Sequence, residues 1–317
     1  MNATAIFFDS KHLGRDTVGA GLGQFYGAPV WPAASMADTF ASGGELERVI
    51  LLDCLETYLE NRLKVKGRPW VCLISSVFVD LYSAYRTSLK AGEMNVHAIF
   101  SNCDTFVKNA QKQLNMRSSG EDAEIDIRFS YRPVAPRELT PEYAFACSVP
   151  NVEDRDWSLA QIVADAVRGK AVGPLAVCLP DEASNRNSVP IVGERSPLGG
   201  SYVLCRDDVD ARYYVPAPRI TDYRVGAIPH EMLSIMASGG IMLAVKHPVL
   251  TEVLPFLLGF DSLKALSEFL HSRSAKEIGE KSADVAVSPL PEKFAPSIFD
   301  FAAEMDAARD LWLRRQQ

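Results

Sequence analysis

No uninterrupted apolar run in this chain approaches the roughly 20 residues that a membrane-spanning helix needs. The first residues, MNATAIFFDSK, hold a short apolar run with no basic residue ahead of it. That is too short for the core of a signal peptide and reads better as a first strand. Basic residues are in deficit: 33 Lys and Arg stand against 40 Asp and Glu, for a formal charge of -7. Binding duplex nucleic acid needs clustered cations to release counterions, so nucleic acid is not the expected main partner. Cysteine is scarce, and the six present (Cys54, Cys72, Cys103, Cys147, Cys178 and Cys205) form no CxxC pair and no Cys/His spacing of the zinc-binding kind. They read as small core hydrophobes in a reducing compartment, so the expected location is cytoplasmic and no metal is expected.

What is present is ordinary globular composition, 47% hydrophobic and 23% charged, over 317 residues. That length suits two α/β domains of roughly 150 residues each. Short apolar runs, read as strands at Ala5 to Asp9, Arg48 to Asp53, Trp70 to Ser75, Val96 to Asn102 and Ile125 to Ser130, alternate with helical periodicity at Leu55 to Leu63, Val79 to Leu89 and Asp104 to Leu114. Alternation of this kind builds a parallel sheet with right-handed crossovers. The proline-bearing stretch Tyr131 to Tyr143 is the best linker, and the pattern restarts after it. Strands are expected at Ala144 to Val149, Leu175 to Leu179, Tyr202 to Cys205, Ala211 to Val215 and Ile241 to Val245, with helices at Trp157 to Val167 and Ser262 to His271. The expected fold is α/β, with two Rossmann-like domains (1–135 and 143–296) facing across a cleft. A last helix at 297–317 either crosses the domain junction or packs on one domain.

The run PHEMLSIMASGGIML, from Pro229 to Leu243, joins a proline-started helix to a Gly-Gly stop and a buried strand. It resembles the corresponding helix of GT-B-type glycosyltransferases, and is most similar to the CgeB-like spore-maturation branch. SVPNVEDRDW, from Ser148 to Trp157, occupies the place where that family opens its second domain. NVHAIFSNCDTFVKNAQKQL, from Asn95 to Leu114, resembles the last strand and helix of its first domain. The resemblance implies a metal-independent, hexosyltransferase-type enzyme that uses a nucleotide sugar as substrate and needs no other cofactor. Its acceptor would be a glycan, a protein or a small molecule.

Carried over by register, the backbone amides of Gly226, Ala227 and Ile228 would cradle the donor diphosphate, with Arg155 as a bidentate cation. His230 is placed in the donor loop. Departures accompany the match, and the acceptor-side histidine of the family's retaining members has no counterpart in the strand end from Ile74 to Asp80. Ser234 and Gly226 stand where the family has acidic residues, the first of them holding the donor ribose, and Asn151 stands where it commonly has arginine. Glu231, on the same helix face as Ser234, is the candidate substitute. Loss of these ligands also fits a noncatalytic nucleotide- or glycan-binding protein derived from the same fold.

An inverting transferase needs a base on the first domain. Asp9, Asp53, Asp80 and His97 are the candidates by position, against the plainer reading of a strand-end aspartate as a turn or helix-cap residue. VGAGLGQFYG, from Val18 to Gly27, tempts a dinucleotide reading, as in an epimerase or dehydrogenase. It sits too far after the first strand and lacks the acidic ribose ligand in register. Gly19, Gly21 and Gly23 are expected in a mobile loop over the cleft.

Overall fold

The computed structural model describes residues 3–9, 18–87, 89, 91–117, 125–134, 138–148, 158–167, 175–178, 202–205, 210–216, 226–286 and 290–317. The chain divides into two compact units. One comprises Met1–Ala135, Ile220–Ile228 and Glu292–Gln317; the other comprises Pro136–Arg219 and Pro229–Pro291.

The first unit is built on β1 (Thr4–Phe8), β2 (Val30–Pro32), β3 (Arg48–Leu52), β4 (Trp70–Ile74), β5 (Ala98–Ser101) and β6 (Asp126–Phe129). All are parallel, in the order β2-β1-β3-β4-β5-β6. The helices are α1 (Val18–Tyr26), α2 (Met36–Ser42), α3 (Leu55–Asn61), α4 (Phe78–Arg86), α5 (Ala91–Met94) and α6 (Asp104–Arg117). Successive strand residues point to opposite faces. Phe7, Val49, Leu51, Leu73 and Ile99 therefore pack with Phe40, Tyr58, Leu81 and Phe106 on one side. Ile6, Ile50, Cys72, Ile74 and Phe100 pack on the other. Covering both faces explains why β3 and β4 read as unbroken apolar runs.

The second unit holds β7 (Tyr143–Ser148), β8 (Leu175–Cys178), β9 (Tyr202–Cys205), β10 (Ala211–Val215), β11 (Ile241–Val245) and β12 (Leu258–Phe260). Its order, β12-β11-β10-β7-β8-β9, is the doubly wound Rossmann order, with the first strand of the unit beside the fourth. The helices are α7 (Ser158–Val167), α8 (His230–Ala237), α9 (Leu263–Ser272) and α10 (Ala275–Ala286). Phe145, Cys147, Val177, Val215 and Leu243 form its core with Val163, Leu266, Leu270 and Ile278.

The last helix, α11 (Ile298–Arg315), is capped by Ser297 Oγ, which accepts from the Asp300 amide at 3.1 Å. It belongs to the first unit. Phe301, Ala302, Met305 and Ala308 are buried with the second face of that sheet, and the Phe100 and Phe301 rings lie 5.5 Å apart. Arg48, at the start of β3, fastens it further: its Nη2 is 2.7 Å from Asp306 Oδ1, and its guanidinium lies 4.2 Å over the Tyr26 ring.

The GAGLG segment differs from expectation. Gly19, Gly21 and Gly23 lie within helix α1, not in a loop. Their lack of side chains lets α1 approach its neighbours. A Cβ on Gly23 would fall 2.6 Å from Val30 Cγ2, and one on Gly21 would fall 3.1 Å from Ile298. The linker stretch also begins inside the first unit, since Tyr131, Arg132 and Val134 are buried there. No described helix is long and apolar enough to cross a membrane.

Candidate functional site

Open α/β sheets bind ligands beyond the carboxyl ends of their strands, where the strand order reverses. In the first unit β1 lies between β2 and β3, so its order reverses there. Asp9 directly follows β1, half-buried, with its amide donating to Leu52 O at 3.0 Å. Asp53 directly follows β3 at a left-handed φ of 51° and is 6% exposed. Its Oδ1 accepts from Ser75 Oγ at 3.0 Å, from the Ser76 amide at 3.4 Å and from Arg132 Nη2. Its carboxylate is thus committed to the turns after β3 and β4.

Asp80 is also enclosed, at 4% exposure. Cys54, the N-cap of α3, makes no side-chain capping bond, and Asp80 Oδ2 accepts from the Leu55 amide at 3.1 Å instead. Burial pushes its carboxyl up to about 7, partly opposed by that amide. Cap and turn roles therefore account for Asp53 and Asp80 in this geometry.

His97 stands elsewhere. It precedes β5 at the amino-terminal edge, its Nδ1 accepts from the Val71 amide at 2.9 Å, and its ring lies 4.7 Å from that of Trp312. Burial pulls its pKa down to about 4, so it is a neutral acceptor. The edge it occupies is opposite to Asp9, which leaves Asp9 as the one half-buried acid of the four beside the strand-order reversal. A cavity of about 350 Å³ also opens at the amino-terminal edge, lined in part by Tyr26, Arg48 and Asp306, where Arg48 is already paired.

Two residues at the carboxyl edge escaped the sequence reading. Arg132 sits in the proline-bearing linker, which gave no sign that it turns back to Asp53. Asn102 ends a buried apolar strand, and a polar residue at that place was the available signal. It is 3% exposed; its Oδ1 accepts from Ser76 Oγ, and its Nδ2 donates to Ile228 O at 2.8 Å. Gly226, Ala227 and Ile228 lie on this edge of the first unit. Gly226 adopts a φ of 75°, and Ala227 and Ile228 are 2% and 3% exposed.

In the second unit the reversal lies between β7 and β10. Helix α8 leads from β10 to β11, so its amino terminus stands at the carboxyl end of β10, next to that reversal. Pro229 is the N-cap residue rather than the first helical one, at φ -55° and ψ 131°, and it makes no side-chain cap. Its carbonyl accepts from Met232 and Leu233. The His230 and Glu231 amides precede the first intrahelical bonds, and helix geometry leaves them directed out of the end of α8. His230 and Ser234 are half-buried. Tyr213 and Tyr214, on β10, are both buried, so neither offers an open face for stacking. Asn151, Arg155 and the side chain of Glu231 lie outside the described residues. Among the described residues no three His, Cys, Asp or Glu side chains come together as metal ligands.

No protein-family profile matches the chain, and no curated protein shows significant sequence similarity. Solved structures do resemble it. A Listeria monocytogenes protein assigned as a UDP-N-acetylglucosamine 2-epimerase superposes with a TM-score of 0.57 at 8% identity, over 97% of this chain and 96% of that one. A structure of accessory secretory protein 1, 2 and 3 from Streptococcus pneumoniae gives a TM-score of 0.50 at 11% identity, over 89% of this chain and 57% of the length of that one. The glycosyltransferase SnogD from Streptomyces nogalater gives 0.43 at 10% identity, over 97% of this chain and 99% of that one. At these identities the likeness is one of architecture: the chain has the GT-B-like α/β fold, with two Rossmann-like domains.

Proposed function

We propose that this chain is a glycosyltransferase, moving a sugar from a nucleotide-sugar donor to an acceptor hydroxyl or other nucleophile. One observation carries the reading: α8 begins without a side-chain cap at the carboxyl end of β10, beside the strand-order reversal of its sheet. Backbone amides at such a place suit a diphosphate. The resemblance of Pro229 to Leu243 to the donor helix of GT-B-type transferases supports the same ligand. Negative charge builds on the diphosphate as the sugar departs, so the amides of the first turn of α8, with Arg155, stabilise the transition state more than the ground state, and Gly226 to Ile228 lead into that turn. Asp9 is the base if the reaction inverts; a retaining reaction needs none.

A thermal-shift panel of UDP, GDP, dTDP and CMP, their sugar conjugates and NAD(P) tests this. A ligand that binds only the native state raises Tm by mass action, by RT ln(1 + [L]/Kd) in free energy. One nucleoside diphosphate is expected to shift Tm selectively; a shift with NAD(P) alone would overturn the reading. The second reading is a noncatalytic nucleotide- or glycan-binding protein. It is favoured by Ser234 and Gly226 standing where acids are expected, and by the structural commitments of Asp53 and Asp80. Binding of a nucleotide sugar without its turnover or hydrolysis would select it.

A further inference from the structure

Residues 226–228 are fitted to the first unit far more closely than a connecting loop requires, and one buried side chain is central to the fit. A buried primary amide needs partners at both ends. Asn102 has them: Ser76 Oγ donates to its Oδ1 from the turn after β4, and its Nδ2 reaches Ile228 O at 2.8 Å, 126 residues along the chain. Two neighbouring contacts fix the same stretch. Ala227 is 2% exposed and belongs to the core that contains Leu81, Phe106 and Val107. Gly226, at φ 75°, lies so close to Thr105 that a Cβ would fall 2.8 Å from its Oγ1 and 3.1 Å from its backbone nitrogen. Ordinary connections run over the protein surface and tolerate change. These three residues instead lie in a mould formed by the exits of β4 and β5.

We infer that Asn102 is a positioning residue for a nucleoside-diphosphate site: it holds the backbone of Gly226, Ala227 and Ile228 in place before the ligand arrives. Ordering a loop on binding costs affinity, and a loop already ordered avoids that cost. The inference rests on the proposed function for the identity of the ligand; the anchoring itself does not.

The test uses the full chain and the substitution Asn102→Asp. Aspartate keeps the shape and the acceptor toward Ser76, has no donor for Ile228 O, and sets a second acceptor against that carbonyl. Two quantities are read: hydrogen exchange of peptides spanning 226–233, and affinity for UDP, GDP, dTDP and CMP by calorimetry. Faster exchange across 226–230 is expected, together with at least tenfold weaker binding of whichever nucleotide the unmodified protein takes. Unchanged exchange overturns the anchoring. Faster exchange with unchanged affinity overturns the positioning role. Should the unmodified protein bind none of the nucleotides while the variant exchanges faster, the transferase reading falls and the anchoring stands. If Asn102→Asp does not accumulate as folded protein, Ser76→Ala frees the other end of the amide and carries the same expectation at smaller size.

Discussion

Asp53 and Asp80 are both enclosed, yet folding treats their charges differently. Asp53 faces Arg132, and both side chains are nearly buried, at 5% and 7% exposure. Such a pair offsets its own desolvation cost without adding much net stability, but removing one partner strands the other charge. Among the described residues no cation faces Asp80, and burial pushes it up to about 7. Folding therefore favours its neutral form. That contribution is complete below about pH 4, declines as pH rises, and is gone above about pH 7. Asp80→Asn keeps an oxygen for the Leu55 amide and carries no charge. It is expected to be more stable than the unmodified protein at pH 8, by about 1–3 kcal/mol or a few degrees in Tm. The gap should close toward pH 4.5. His97 imposes the opposite slope: held neutral with its pKa pulled down to about 4, it costs stability as pH falls from about 6.5. The melts must therefore be compared as differences at each pH, and a gap that does not vary with pH would mean that Asp80 does not titrate in this range.

Helix α1 illustrates how packing overrides local preference. Three glycines in nine residues should disfavour a helix by about 1 kcal/mol each relative to alanine. The helix forms because Val18 and Leu22 are buried with β1 and β3, and because bare Cα positions admit Val30 and Ile298. Gly23→Ala should therefore lower stability by about 1–3 kcal/mol through overpacking against Val30 and the Ala28 carbonyl, despite its better helix propensity. A rise in Tm would mean that α1 can move away from β2 at no cost. These contacts also explain what could be read from the sequence. β1, β3, β4 and β11 announce themselves as short apolar runs. β2 has only Val30, Trp31 and Pro32, and takes its register from β1. The positions of Asp9, Asp53 and Asp80 at the carboxyl edge were legible for the same reason as the strands they follow. Their roles were not, because Arg132 lies 79 residues from Asp53 and Leu55 lies 25 from Asp80. Residues that far apart leave no periodicity to read.

At the scale of the whole molecule, the first unit is assembled from three separate stretches of chain. One face of its sheet has α11 as cover, and Phe301, Ala302 and Met305 are each at most 1% exposed there. The second unit holds its own core in Phe145, Val163, Leu243 and Leu266, none of which depends on α11. Deleting 292–317 would expose Ile6, Ile50, Cys72 and Phe100, and would leave Arg48 without Asp306. Exposing that much apolar sheet should cost more than a typical domain's margin of about 5–15 kcal/mol. The truncated protein is expected to bind a hydrophobic dye and to lose exchange protection in β1, β3 and β4, while β7, β10 and β11 stay protected. Protection that persists in β1, β3 and β4 would show that α11 is an appendage to the first unit. Protection lost from both sheets together would show that the two units fold as one cooperative body.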